Sequence, residues 1–331
     1  MGFYAEGHAS PLGPKEAEEI CTDMGQIQIG VLPETQRWQD VIGLIAEGGE
    51  VSRVAEATTY AWKLAFEKVG NDSGFREAVW LITQLGVAGR SEEPVGELRA
   101  VGLELAGAGS VVEVAIALTQ AMDQRNGRGS RERSDFGELA QRALAAVVVE
   151  HLDGEGRASS VEGIRRAITK LGRETVFAEL AKAFFGRFTY ECLSYFLSKT
   201  LPTQVGEKRR FATTAQLAEF EDALMAHCVE VSEVLGHFNA DWFAKALKEG
   251  GGKIGRDSAE KFGWCELEKV RNELTARASA DAALGKGKDN WPQRAQRRDE
   301  PRKGARAAKG RRYREVATES TENSEKGREG I

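Results

Sequence analysis

The chain has 331 residues, 41% of them hydrophobic and 29% charged, with a formal charge of −5 at pH 7. That length holds a sizeable core and, at about 150 residues per domain, has room for two lobes, which excludes a stapled mini-protein and a wholly disordered chain. No apolar run approaches the roughly 20 residues that cross a bilayer, and MGFYAEGHASPLG has no basic start leading into an apolar run, so a soluble cytoplasmic protein without membrane contact is expected.

Residues 1–30 show no sustained period and read as an irregular N-terminal extension, with QIQIGVL at 26–32 alternating enough for a short strand. After Pro33, Trp38, Val41, Ile42 and Ile45 keep helical spacing until Gly48 and Gly49 stop the run. A second helix is expected over 51–69 and a third from Asp72 or Ser73 to just before Gly86. Ser91 then reads as an N-cap ahead of two acids and Pro94, opening helices at 92–106 and 109–124. These form a first helical lobe, 31–124. QRNGRGSRERS, Gln124 to Ser134, lacks apolar residues and reads as an exposed linker.

The second lobe, 134–284, repeats the pattern. Ser134 caps a helix to His151, and Ser159 with Glu162 forms a capping box before VEGIRRAITKL. Helices follow at 173–186, 190–200, 214–237, 240–249 and 258–283. The aromatic run Phe184 to Lys199 is divided because one continuous helix would put Glu191 in the middle of the stripe formed by Phe177, Leu180, Phe184 and Phe188, which reads as core. The expected fold is an all-α bundle of eleven or twelve helices. Four separated cysteines, Cys21, Cys192, Cys228 and Cys265, have no Cys-x-x-Cys spacing, and the last three fall on apolar stripes, as reduced core residues do. The 37 glycines exceed the usual share of about 7%.

Few motifs carry chemistry. KEGGGKIGRDSAEKFGW, Lys248 to Trp264, resembles a phosphate loop until its spacing is checked: Ile254 follows Lys253, and a helix precedes where a strand is needed. Its glycines read as a helix-to-helix connection, with Asp257 and Glu260 capping the next helix and Lys253 and Arg256 left as anion contacts. In HCVEVSEVLGH, His227, Glu230, Glu233 and His237 turn away from the line through Leu217, Phe220, Cys228, Val231, Leu235 and Phe238, so no metal site is expected there. No catalytic residue or cofactor is assigned, and the balance leans away from an enzyme.

Basic residues carry the remaining signal. Lys208, Arg209 and Arg210 form the densest cluster outside the tail. Residues 285–331 nearly lack apolar side chains and are expected to be disordered. Within them, 285–314 holds twelve Lys/Arg against three acids, +9, which leaves 1–284 at −11 after the −3 of 315–331. Arg297, Arg298, Arg302, Lys303, Arg311, Arg312 and Arg314 are polyanion contacts of this tail, and Trp291 and Tyr313 its stacking candidates. The expected function is a non-enzymatic scaffold or adaptor binding a protein partner, with weak nucleic-acid contact through the tail and self-association left open. The alternative is a ligand-binding protein or enzyme with a site between the lobes near Arg187, Arg209 and Arg210.

Overall fold

The computed structural model describes residues 36–61, 68–105, 107–126, 134–153 and 160–283. The helices are α1 Gln36–Ala46, α2 Val51–Ala61, α3 Ser73–Ala88, α4 Pro94–Ala100, α5 Val111–Asn126, α6 Asp135–Leu152, α7 Val161–Leu171, α8 Glu174–Leu197, α9 Thr214–Ser232, α10 Gly236–Glu249 and α11 Arg256–Ala283, with 3-10 turns at Leu201–Gln204 and Glu233–Leu235. Among the described residues there is no strand, and Val205 and Phe211 form an isolated bridge. The all-α class stands; the strand expected at 26–32 lies outside the described residues. All the helices fall in the first of two units, Met1–Gly287, and the second, Lys288–Ile331, lies outside the description.

Local chemistry sets most helix starts. Asp72 accepts from the Phe75 N–H at 2.8 Å, and Ser134 from Gly137 at 3.0 Å, satisfying N–H groups that a helix's first turn leaves free. Ser110 and Glu113 form a reciprocal box at α5; at α9, Thr213 accepts from the Gln216 N–H while Gln216 Oε1 accepts from the Ala212 N–H. Two expected caps shift. Ser160 caps α7 in place of Ser159, and its Glu162 pairs outward with Arg165. α4 starts at Pro94, while Ser91 accepts from the Glu93 N–H; Gly102, at φ +79°, ends it early by letting the Leu103 N–H reach back to Leu98.

The largest correction concerns α8. The division near Gly186 to Thr189 does not occur, and one 24-residue helix runs through it. The expected division therefore counts one helix too many over this run, and α4 amounts to only two turns. Glu191 is tolerated because it lies on the flank of the stripe, 11% exposed, where its carboxylate accepts from Arg187 Nε at 2.9 Å and lies 3.7 Å from Arg142. Gly186 breaks nothing: a Cβ there would come 2.8 Å from Ser232 Oγ, so the glycine lets α9 approach.

α3 and α8 form the centre. α3 is buried on nearly every side and α8 packs against α6, α9 and α10. The two meet where Phe75 lies 5.0 Å from Phe188 and where Gly86 makes room for Phe177. Phe177 stacks on Phe243 at 4.0 Å and Trp242 on Phe262 at 3.9 Å, which ties α10 and α11 into the same aromatic core. The core reading of Phe177, Leu180, Phe184 and Phe188 holds, each being almost fully buried. Of the linker expected from Gln124 to Ser134, Gln124 to Asn126 end α5 and Ser134 caps α6, and α5 and α3 both pack on α6.

Several of the described glycines have a packing role. Gly74 and Gly137 place α3 and α6 backbone to backbone, a Cβ at Gly74 lying 2.5 Å from the Gly137 Cα. Gly89 and Gly172 do the same at the ends of α3 and α7, and Gly70 accommodates the Trp264 ring.

Candidate anion contacts and docking surfaces

The loop from Val205 to Phe211 is pinned at its base. Gly206 N–H donates to the Phe211 carbonyl at 2.9 Å and Phe211 N–H to that of Gln204 at 3.0 Å. This presents Glu207, Lys208 and Arg209 to solvent, with Lys208 held at φ +61°, the left-handed region that non-glycine residues seldom occupy. Arg210 turns inward instead. Its guanidinium donates to the carbonyls of Ile45, in the last turn of α1, at 3.1 Å and of Gly49, just beyond it, at 2.6 Å, and lies over the rings of Phe220 at 4.6 Å and Phe211 at 5.2 Å. Burial pulls its pKa down to about 10, against the opposing pull of Glu50. The three consecutive cations therefore separate into two exposed groups and one internal strut.

The glycine stretch is a helix-to-helix connection, as its spacing predicts. Gly251 and Gly252 have φ of +61° and +88°, and the Gly252 N–H closes α10 on the Leu247 carbonyl at 2.8 Å. Gln84 Nε2 donates to the Ile254 carbonyl at 3.1 Å, fastening the loop to α3. Lys253 is exposed. Arg256 donates to Glu77 Oε2 at 2.7 Å and lies 3.9 Å over the Trp80 ring, and Glu260 pairs with Arg76 at 3.1 Å. Glu77 is 6% exposed, and Arg256, itself half-exposed, is its 2.7 Å partner.

Arg187 is likewise engaged, with Glu191 and over the Tyr190 ring. The structure thus holds Arg187 and Arg210 in internal contacts, and the open groove of about 390 Å³ lies elsewhere, between α2 and α11. Glu56, Thr59, Tyr60, Arg271 and Thr275 line it, and burial raises the Glu56 carboxyl.

His227 is half-buried, while Glu230, Glu233 and His237 are exposed; Glu233 pairs with Lys182 at 3.0 Å and Glu230 lies 3.9 Å from Arg277. Among the described residues no group of three His, Cys, Asp or Glu is placed to hold a metal. Two expected core residues are corrected: Cys265 is exposed on α11, and Phe238 is 36% exposed because the 3-10 turn at Glu233–Leu235 rotates the chain off the stripe of α9. Cys192 and Cys228 are buried, and burial raises both thiols. Trp291, Arg297, Arg298, Arg302, Lys303, Arg311, Arg312, Tyr313 and Arg314 lie outside the described residues.

Two features escaped the sequence reading. Val112 and Ile116, one turn apart on the outer face of α5, are 50% and 49% exposed. Glu266 is fully buried on α11, with burial raising its carboxyl to about 7 against the lowering effect of Lys269. The spacing Phe262, Glu266, Val270 is the signal that places it on the core stripe. No described helix is long and apolar enough to cross a membrane. No family model, curated protein or solved structure matches the chain.

Proposed function

We propose that the chain is a non-enzymatic helical scaffold or adaptor that binds a protein partner through its helical body and adds electrostatic contact to nucleic acid through exposed cations. The observation that carries the docking half is the Val112 and Ile116 pair, an apolar stripe one turn long on a helix whose other face is already packed. The electrostatic half rests on Lys208 and Arg209 at a pinned loop tip, on Lys253, and on the +9 charge of 285–314. Arg210 is left out of the contact set because its guanidinium is turned inward onto the Gly49 carbonyl, and Arg256, though half-exposed, because it is paired with Glu77.

The test pairs two perturbations. Val112→Glu with Ile116→Glu should abolish partner capture at unchanged melting temperature, since both side chains are half in water already. A 1–284 truncation and the Lys208→Ala, Arg209→Ala pair should each flatten the salt dependence of single-stranded DNA or RNA binding by fluorescence anisotropy. Capture unaffected by the first change, with no salt-sensitive binding by the full chain, would overturn the proposal.

The second reading, a ligand-binding protein or enzyme, is favoured by the α2–α11 groove, whose volume is within the range of small-molecule sites. A thermal shift with nucleotides or metabolites, lost in Tyr60→Ala, would favour it over the scaffold.

A further inference from the structure

Three segments far apart in the chain meet at the start of α8. Phe177, in its first turn, stacks on Phe243 at 4.0 Å, and further along Asn239 Nδ2 donates to the Ala178 carbonyl and Lys182 pairs with Glu233. α10 therefore runs antiparallel to α8, and its last turn passes the α8 N-terminal end. The end of α3 arrives at the same place: a Cβ on Gly86 would meet Phe177 and Phe243, Gly89 lies against Gly172, and Arg90 Nη1 donates to the Gly172 carbonyl at 3.2 Å. Gln84 holds the loop after α10 there through the Ile254 carbonyl.

This pole is basic although the body is acidic. Arg90, Lys170, Arg173, Lys245, Lys248 and Lys253 are all exposed, against Glu174, Glu249 and Asp257, a net +3 where residues 1–284 carry −11. Glu92 and Glu93 follow Arg90 into α4, and Glu93 acts on Arg165 of α7. Arg90 lies 3.9 Å from Glu174 and Lys245 3.8 Å from Glu249, with all four side chains half or more in water, so neither pair holds its cation tightly. The loop carrying Lys208 and Arg209 follows the opposite end of α8, whose 24 residues span about 36 Å.

We propose that this pole is a second phosphate-contact surface, which seats on the backbone of a double-stranded nucleic acid without reading its sequence. The inference rests on the reading of nucleic-acid contact through exposed cations and adds a place and a partner to it. The chemistry of the pole selects among polyanions. The large apolar side chains exposed among the described residues belong to other segments, so the pole has no anchor for a lipid surface. Its aromatic rings, Phe177 and Phe243, are buried, so it has no platform on which the bases of a single strand would stack. Separate cations on three segments match a duplex, whose charge recurs every 1.7 Å or so along the axis and which presents a phosphate to each of them.

Fluorescence anisotropy of a short labelled DNA duplex with the full chain, over a salt series, tests the surface. Arg173→Ala with Lys248→Ala removes two contacts from two segments. The slope of log affinity against log salt should fall by about 1.8, and the variant should lose roughly tenfold less affinity than the wild type between about 50 and 200 mM salt. Arg173→Lys with Lys248→Arg should keep the wild-type slope, because a phosphate contact of this kind requires only the charge. Arg99→Ala with Arg142→Ala, exposed cations of α4 and α6, should leave it unchanged. Melting temperatures matched to the wild type keep the comparison one of binding.

A wild-type slope in the Arg173, Lys248 pair, or an equal fall in the Arg99, Arg142 pair, would overturn the inference. So would competition by polyglutamate as strong as by unlabelled duplex, or co-sedimentation with phosphatidylserine vesicles that the Arg173, Lys248 pair abolishes. Salt-sensitive binding that survives at this pole's substitutions and is lost in Lys208→Ala with Arg209→Ala refutes the pole alone, whereas no binding by the full chain refutes the nucleic-acid reading with it.

Discussion

Replacing Arg210 with alanine should destabilise the body while leaving polyanion binding nearly intact. The guanidinium makes two charge-assisted bonds, to Ile45 O and Gly49 O, which close the carbonyl end of α1. Bonds of this kind contribute about 1.5–3 kcal/mol each, and the cation over Phe220 about 0.5–2 kcal/mol more. Desolvation opposes them, as the fall of the guanidinium pKa to about 10 records, and the freed carbonyls recover water. A net loss of about 3 kcal/mol follows, or roughly 6–12 °C of melting temperature for a body of this size. Arg210→Lys restores the charge but not the fork, and about half the loss should remain. Arg209→Ala, at the exposed tip, should stay within about 0.5 kcal/mol. The assay is urea unfolding followed by circular dichroism at pH 7, beside anisotropy of a labelled oligonucleotide over a salt series. If Arg210→Ala unfolds with the wild-type midpoint and flattens the salt slope as Arg209→Ala does, the division between strut and contact is wrong.

Other outcomes follow from the packing. Gly172→Ala should cost about 1–3 kcal/mol, because the new Cβ meets the Gly89 backbone, whereas Gly43→Ala, with open space around it inside α1, should stabilise by about 1 kcal/mol; chemical denaturation reads both. Arg256→Ala removes a half-exposed 2.7 Å partner of Glu77 and should cost about 1 kcal/mol, with a double-mutant cycle against Glu77→Gln, read by chemical denaturation, measuring the coupling of the pair. Residues 134–284 expressed alone should lack a cooperative melt, because α6 loses its contacts with both α3 and α5.

Helix class and most caps were legible because they are local. Asp72 and Ser134 announce α3 and α6 within a few residues of sequence. The long α8 was not, since Glu191 in an aromatic run looks like a break until Arg187 and Arg142 are seen beside it. Glycines mislead in the same way: Gly251 and Gly252 supply a turn, whereas Gly74, Gly86, Gly137 and Gly186 sit inside helices to admit a neighbour that sequence does not locate. The basic cluster was visible as composition, but the partners that remove Arg210 from it, Ile45 and Gly49, lie far away in the chain. Glu266 and the Val112 and Ile116 pair were readable from helical spacing, one as an acid on a core stripe and the other as apolar residues off it.

The most direct test of the scaffold is quantitative affinity purification of the tagged full chain beside its Val112→Glu, Ile116→Glu counterpart, with both first matched in melting temperature. The account predicts one protein recovered in near-stoichiometric amount with the wild type and lost with the variant. Equal recovery from both, or none from either together with a thermal shift by a small molecule, would contradict it.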